Sequence, residues 1–431
     1  MQKSSPVRPR HPTTLSPFAH RVFLGLSVAS FASNLGNAIQ SVGASWLMTS
    51  IAPAADMVAL VQTATSLPIM LFALIAGAIA DLFDRRKVML TAQIAMASAS
   101  FLLAGLGFAG LVTPWTLLAL TFLLGAGVAL FGPAMQVTVG EVVPRAELAG
   151  AVSLNILGFN VARSLGPAIG GGIVALGGSS AAFVANASSY LIAIVILFLW
   201  RRPVPETEAA ATGPTAGARR VLPAVLEGLR YVGAAAPIRI ILIRAAFFTL
   251  SGSAAWALMP LVARNLVGGG PSAFGLLLSG LGVGAVIGAL ASTAVRRRYS
   301  NETIIRAAGI IFGAACLIVA ARPGLAISFV ALVMGGASWV QALAGFSVAG
   351  QIWSPRWVVG RVAATINATI FGGLALGSWV WGHVAEAIGL APAIAASGAL
   401  MIVLPLIGLF LPLPRNEDAN PDAMPPRPGT A

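Results

Sequence analysis

Arg163 is the residue whose charge and position most strongly suggest chemistry, because it lies inside a long apolar stretch of the chain. Counted from Leu148 at 1.5 Å per helical residue, it lies roughly 23 Å into a hydrocarbon core about 30 Å thick. A charge at that depth is costly and usually faces a cavity or a partner. Two interpretations follow: Arg163 meets an anionic or carbonyl-rich substrate, or it is a structural arginine bonded to helix carbonyls and Asn160.

The acidic residues offer Arg163 no obvious counter-ion, because all thirteen lie in predicted loops, tails or span ends. The titratable groups near the membrane faces are then the candidates for carrying protons. His383 and Glu386 lie three residues apart on one predicted helix, where histidine titration could sense external pH. Like Glu141, this pair could equally be an interfacial contact with solvent. The candidates for proton coupling are Asp81, Glu141, His383 and Glu386.

Polar side chains also follow one face of the first long apolar stretch. At 100° per residue, six of them fall within about 80° of one another: Ser27, Ser30, Asn34, Asn37, Ser41 and Ser45. Such a stripe either lines a wet cavity or joins helices through hydrogen bonds. We predict cavity lining for Asn34 and Asn37 and packing for the serines. The full set of candidate cavity residues is Asn34, Asn37, Gln40, Asn155, Asn160, Arg163 and Asn367.

The stretch GAIADLFDRRK, Gly77 to Lys87, closes one apolar run with acids and then bases. Its glycine and basic triplet recur 211 positions later, at Gly288 and at residues 296–298, but its acids do not. The recurring glycine suits close helix contact, and the recurring bases suit retention on the cytoplasmic side. We hypothesise that Asp81 is a latch that accepts from helix N-terminal amides or from Arg361. The candidate gating residues of this face are Gly77, Asp81, Asp84, Arg85, Arg86 and Arg361.

Composition places these residues in a membrane. The chain of 431 residues is 58% hydrophobic and only 9% charged, with a mean hydropathy of +0.90. One water-soluble core cannot bury that much apolar surface. The net charge of +13 lies in short loops between apolar runs, so we do not predict binding to nucleic acid.

We predict an all-α membrane protein with about twelve transmembrane helices in two six-helix halves. The predicted spans are residues 22–48, 57–80, 88–112, 115–139, 148–176, 181–200, 238–262, 272–295, 304–321, 325–352, 358–385 and 390–411. The offset of 211 also pairs Gly166 with Gly377 and indicates a parallel repeat, as in transporters that bind substrate between two halves.

The predicted organisation is a cytoplasmic tail (residues 1–21), the first half (22–200), a cytoplasmic linker (201–237), the second half (238–411) and a disordered tail (412–431). Lysine and arginine are concentrated in alternate loops, and only Arg264 and Arg322 fall in the others. The positive-inside rule therefore predicts that both termini are cytoplasmic.

Two motifs resemble those of the major facilitator superfamily. Gly77, Asp81, Arg85 and Arg86 resemble its loop motif after the second helix, although Leu82 and Asp84 stand where a base and a glycine are usual. The second motif resembles the superfamily's antiporter motif and consists of Gly166, Pro167, Gly170 and Gly171. The glycines have no side chain and Pro167 has no backbone N–H. The motif therefore permits a kink in the fifth span and close helix contact there.

The runs at residues 33–50 and 131–171 resemble the bacterial subgroup that includes enterobactin exporters and macrolide efflux proteins. This resemblance implies a monomeric multi-pass protein of the bacterial inner membrane that exports a drug or siderophore, without a cofactor and driven by a proton gradient. Asn37 stands where an aspartate is common in the subgroup, so one proton-carrying carboxylate is missing.

Other energy sources and functions follow from the residues themselves. The only lysines are Lys3 and Lys87, so the chain has no P-loop for ATP hydrolysis. A lipid or lysolipid flippase remains an alternative to drug export. An integral-membrane enzyme would need clustered acids or histidines at one face, and the sequence has no such cluster.

Overall fold

A computed structural model describes residues 15–200, 230–355, 358–410 and 412–413. Most of the predicted terminal tails and of the predicted linker therefore lies outside the described residues. Within described helices, the side chain of Asp81 is also outside the description.

The first half begins with a short 3₁₀ helix, Ser16–Ala19, and continues as long apolar helices. They are α1 (Arg21–Ile51), α2 (Ala55–Leu82), α3 (Arg85–Phe108), α4 (Pro114–Val142) and α5 (Leu148–Leu199). Polar caps fix two of their starts. The Asp84 side chain accepts from the backbone N–H of Lys87 at 3.2 Å, and Thr113 and Thr116 form a reciprocal capping box at α4.

Helix α5 makes two passes through the bundle, because the chain reverses at Gly178. This glycine has φ 72° and ψ 175°, a backbone conformation that residues with a Cβ rarely adopt. The first limb (residues 148–177) runs parallel to α1, and the second limb (residues 179–199) runs antiparallel to it. The contacts that show this are Ser30 with Asn155 and Ile39 with Gly170 for the first limb, and Gly25 with Ile196 and Gly43 with Ala182 for the second.

The second half repeats this plan with one interruption. Its elements are α6 (Ala236–Gly252), α7 (Ala254–Ala257), α8 (Met259–Leu261), a π-helical turn (Val262–Leu266), α9 (Pro271–Arg298), α10 (Asn301–Ala320), α11 (Leu325–Ile352), α12 (Val359–Ile388) and α13 (Leu390–Phe410). The seventh predicted span is thus broken after Gly252. Pro260, which has no backbone N–H, lies in the broken part.

The described helices account for the predicted spans. Ten segments are long and apolar enough to cross a membrane, and one of them, Arg145–Leu199, contains both limbs of α5. The shorter apolar segment Leu390–Pro405 corresponds to the last predicted span. Counting the limbs separately and adding this segment recovers the twelve predicted passes in the described ranges.

The repeat is visible in packing as well as in sequence. Gly166 lies against Ala38 on α1, and the residue 211 positions after Ala38, Thr249 on α6, lies against Gly373. By its contacts, Gly166 therefore corresponds to Gly373, one helical turn before its sequence-predicted counterpart Gly377. The offset of 211 matches α1 with α6, whereas the α12 glycine that packs on α6 lies one helical turn before the position that this offset predicts.

In each half, a buried polar side chain of the first helix is bonded to the third helix. In the first half, buried Gln93 on α3 donates to the hydroxyl of Ser33 at 2.9 Å. The residue equivalent to Ser33 is Arg244, which is 6% exposed and donates to Glu302 on α10 at 2.5 Å. Glu302 also accepts from Arg306 at 2.5 Å. A neutral pair in one half thus corresponds to a charged cluster in the other.

We expect Glu302→Gln to lower the free energy of unfolding by about 3 kcal/mol, because it leaves the buried Arg244 without its carboxylate. Thermal unfolding of the purified protein in detergent measures this change. The matched control is Glu147→Gln. Its partner His20 is partly exposed, whereas Arg244 is buried, so loss of the His20 pair should cost about 1 kcal/mol or less. Equal losses for the two variants would contradict the proposed role of the cluster.

Candidate functional site

The two halves meet along two helix pairs, α5 with α9 and α2 with α12. We call the membrane face that carries Arg85, Arg145 and Arg297 the basic face, and the face that carries Arg264 and Arg322 the opposite face. The close contacts described below seal the halves toward the opposite face.

Helices α5 and α9 touch backbone to backbone. A Cβ added at Gly275 would lie 2.9 Å from the Cα of Gly171, and one added at Gly282 would lie 2.8 Å from the carbonyl oxygen of Arg163. Glycine is therefore required for this approach. The glycine contacts of this seam reach the backbone of Arg163.

Helices α2 and α12 are joined by hydrogen bonds across the halves. The Glu386 carboxylate accepts from the backbone N–H of Ala55 at 2.9 Å. Ala55 begins α2, so Glu386 supplies from the second half the cap that α2 lacks in its own sequence. Deeper in the membrane, the Thr63 hydroxyl donates to the carbonyl of Ala375 at 3.0 Å.

A third contact closes the opposite face. Arg264, in the π-helical turn, donates to the carbonyl oxygen of Thr49 near the end of α1 at 2.5 Å. Trp46 on α1 also stacks on Phe274 of α9, with ring centroids 6.3 Å apart. The contacts of α5 with α9, of α2 with α12, and of α1 with the π-helical turn and α9 all lie toward the opposite face. Each of them joins the first half to the second.

Arg163 lies immediately on the basic-face side of that seal. Its guanidinium carbon is 4.9 Å from the centroid of the Trp256 ring, across the boundary between the halves. Asn160, proposed above as a structural partner, instead donates to the carbonyl of Ile156 at 3.0 Å. In the described part of the chain, Arg163 makes a cation–π contact and has no carboxylate partner.

Trp256 is carried by α7, the short segment of the broken seventh span. Non-helical backbone at membrane depth is tolerated where protein buries it or where it lines a cavity. Trp256 packs edge-on against buried Trp339, with centroids 6.1 Å apart, and its own ring remains partly exposed. Its indole nitrogen is buried and has no hydrogen-bond partner in the described structure.

Two polar side chains of α1 that we predicted to line the cavity are bonded to other residues of the first half. Asn37 accepts from the Tyr190 hydroxyl on the second limb of α5 at 2.5 Å. Gln40 is 4% exposed and accepts from Asn186 at 3.3 Å, which also donates to Ser100. Gln40 is therefore not part of the binding surface that we propose below.

The other candidate cavity residues differ in exposure. Asn34 donates to the carbonyl of Ser30 on its own helix at 2.8 Å, and Asn155 accepts from the Ser30 hydroxyl at 3.4 Å. Asn367 on α12 is exposed. For all of these candidates, Asn37 and Gln40 included, cavity lining stays a prediction.

The gating candidates at the basic face are bonded mainly within the first half. Arg85 forms an ion pair with Glu141 at the end of α4. Arg86 donates to the carbonyls of Leu197 and Phe198, both at 2.8 Å, and so caps the second limb of α5. Among the described residues, no other helix lies within 4 Å of a Cβ added at Gly77. The Asp81 latch and the role of Arg361 stay predictions.

The remaining candidates are separated by the structure. His383 bonds to the carbonyl of Trp379 on its own helix at 2.9 Å, whereas Glu386 reaches α2. Gly166 and Gly170 face α1, and Gly171 faces α9, so the motif serves two interfaces. Pro167 is buried within α5, whose only residue with non-helical dihedral angles is Gly178.

Two functional contacts escaped the sequence analysis. Trp256 is one of nine tryptophans and carries no motif, although Pro260 close after it signals the broken span. The cap that Glu386 gives to α2 joins residues 331 positions apart, and no local pattern reports such a distance.

Comparison with known proteins agrees with this architecture. Residues 12–429 match the family described as transmembrane secretion effector. The multidrug efflux pump Tap of Mycolicibacterium fortuitum is 27% identical, with 90% of this chain and 95% of the pump covered. The staphyloferrin A transporter of Staphylococcus aureus is 24% identical over 72% of this chain and 76% of its own length. Among solved structures, the D-xylose–proton symporter matches with a TM-score of 0.71 at 15% identity, over 93% of this chain and 99% of the symporter.

We expect Gly171→Ala to open the seal between α5 and α9, because its Cβ would lie 2.6 Å from the carbonyl oxygen of Pro271. Overpacking of this kind costs about 1–3 kcal/mol, which corresponds to about tenfold more opening. Thiol labelling of Ala59→Cys, a buried position on α2, measures it in a Cys316→Ser background.

Gly172→Ala is the matched control, since nothing lies within 4 Å of a Cβ added there. It should leave the labelling rate unchanged. Similar rates in both variants would show that the glycine seam does not hold the opposite face closed.

Proposed function

The chain belongs to the transmembrane secretion effector family of the major facilitator superfamily, and from this premise we propose that it exports an amphipathic small molecule by alternating access. The observation that carries the proposal is the seal between the halves. Contacts of α1, α2 and α5 with the second half close the opposite face, and Arg163 lies at the inner edge of that seal. Rocking of two rigid halves about a central site would break these contacts and expose the site to the other side.

We propose a drug or a siderophore as the exported molecule. Support comes from the names of the relatives, a multidrug efflux pump and a staphyloferrin A transporter. The family and these relatives are transporters, so the chain is not an enzyme.

A proton gradient is the energy source that we propose. Glu386 is the titratable group with the clearest link to conformation, because its carboxylate bonds the N-terminus of α2 across the two halves at the closed opposite face. Protonation would weaken this charge-assisted hydrogen bond and favour opening. Glu141, paired with Arg85, is the corresponding candidate at the basic face.

The proposed setting is the bacterial inner membrane, with the basic face in the cytoplasm and the protein working as a monomer. The distribution of arginines supports this orientation. The described conformation would then be closed to the outside.

A lipid or lysolipid flippase is the second candidate, favoured by a groove on the second half. The groove lies between α9, α10 and α11, encloses about 920 Å³ including its open side, and is almost entirely apolar. Ile287, Ile311 and Met334 are among the side chains that line it. An acyl chain would suit this surface.

Uptake into inverted vesicles tests export and separates these candidates. The panel is a catecholate siderophore, a macrolide, a cationic dye and a lysolipid, each with and without an imposed pH gradient. We expect gradient-dependent uptake of at least one soluble compound. Equal uptake with and without the gradient for every compound would contradict proton coupling. Uptake of the lysolipid alone would favour the flippase.

A cross-link across the opposite face tests alternating access. The Thr63 hydroxyl reaches the carbonyl of Ala375 across α2 and α12, so we expect a disulfide between Thr63→Cys and Ala375→Cys to abolish transport in a Cys316→Ser background. Reduction should restore it. Each single cysteine variant is the control, and full transport by the cross-linked protein would exclude opening at this face.

A further inference from the structure

We propose that Arg163 and Trp256 form a binding site for amphipathic organic anions, in which a carboxylate or phenolate is joined to a planar apolar group. This inference rests on the proposed export function and names its substrate class. The two residues belong to different halves and meet where the seal of the opposite face ends. A ligand held there would contact both halves.

The hydrogen-bond donors of the pair lack acceptors. A guanidinium has five N–H groups, and a contact with a ring face occupies none of them in a conventional hydrogen bond. Arg163 has no hydrogen-bond partner among the described residues, and the buried indole N–H of Trp256 has none either. A guanidinium at membrane depth with unused N–H groups calls for a ligand rich in acceptor oxygens.

The site also lacks negative charge. The described acidic side chains with assigned contacts lie at helix ends, where Glu141, Glu147, Glu302 and Glu386 are bonded to other groups. A cation at membrane depth is strongly stabilised by an anion, because the low dielectric strengthens the attraction. An organic anion therefore fits, whereas a cationic drug would meet the charge of Arg163 without a compensating carboxylate.

Geometry favours a carboxylate or phenolate over an isolated inorganic anion. Arginine presents paired N–H groups that match a planar oxyanion in bidentate fashion. The partly exposed Trp256 ring beside it offers a flat apolar surface, and buried Trp339 supports that ring from behind. A planar group attached to the oxyanion would pack on this surface while the oxyanion replaces the Trp256 ring as the partner of Arg163.

The test compares two probes of nearly equal shape, 2-naphthoate and its neutral carboxamide. Equilibrium dialysis measures binding to the full chain in lipid nanodiscs, with empty nanodiscs correcting for partition into lipid. We expect the protein to bind the carboxylate at least tenfold more tightly than the amide. Equal affinities for the two probes would overturn the inference without any variant.

Variants assign the effect to the pair. Arg163→Ala should lower affinity for the carboxylate at least tenfold and leave the amide within twofold. Trp256→Leu should weaken both probes, and Trp256→Phe should weaken them less. If Arg163→Ala does not yield a monodisperse protein, Arg163→Lys replaces it, with an expected intermediate loss for the carboxylate because a point charge remains but the bidentate fork is gone. Unchanged carboxylate affinity in the arginine variant tested would overturn the inference.

Failure of this inference can be told apart from failure of the proposed function. A protein that accumulates the cationic dye in vesicles under a pH gradient, yet binds carboxylate and amide equally, remains an exporter without this selectivity. A protein that prefers the carboxylate and transports no compound of the panel retains the site but not the proposed export.

Discussion

The fold depends on one constraint: inside the hydrocarbon layer no water is available, so every polar group must find its partner within the protein. The interior of each half shows how this is met. Gln93 donates to Ser33, Asn186 donates to both Gln40 and Ser100, and Arg244 is matched by Glu302. Several buried polar atoms of the described residues still lack a protein partner, among them the indole nitrogen of Trp256. Arg163 differs from them because it carries a full charge at membrane depth and contacts a tryptophan ring instead of a carboxylate.

The interface between the halves obeys different rules from their interiors. It uses glycines, backbone carbonyls and single hydrogen bonds, such as those of Thr63 and Glu386, together with two ring contacts, Trp46 on Phe274 and Arg163 on Trp256. Such contacts can form and break with little rearrangement of either half. Contacts of this kind between two rigid halves are what a rocking motion requires.

The fold class was predictable from the sequence and is confirmed, because apolar length and the positions of glycine and proline determine where helices cross and end. Gly178, Pro260 and the glycines of α5 all mark features that the structure contains. Contacts between distant residues were not predictable. A sequence period tells which side of α1 is polar, but it cannot tell that Asn37 meets Tyr190 inside the first half while Arg163 meets Trp256 across the boundary. Which residues meet depends on the rotation of each helix about its own axis, and the packing of all the helices together sets that rotation.

The pair of Ser33 and Gln93 and the ionic cluster of Arg244, Glu302 and Arg306 each join the first helix of a half to its third helix. The two solutions are not interchangeable residue by residue, because an arginine placed at Ser33 would be a buried charge without the carboxylate that Glu302 supplies in the other half. A chimaera that joins helices taken from both copies would separate Arg244 from Glu302. A helix exchange that keeps the buried charges paired therefore has to move the six-pass half as a whole.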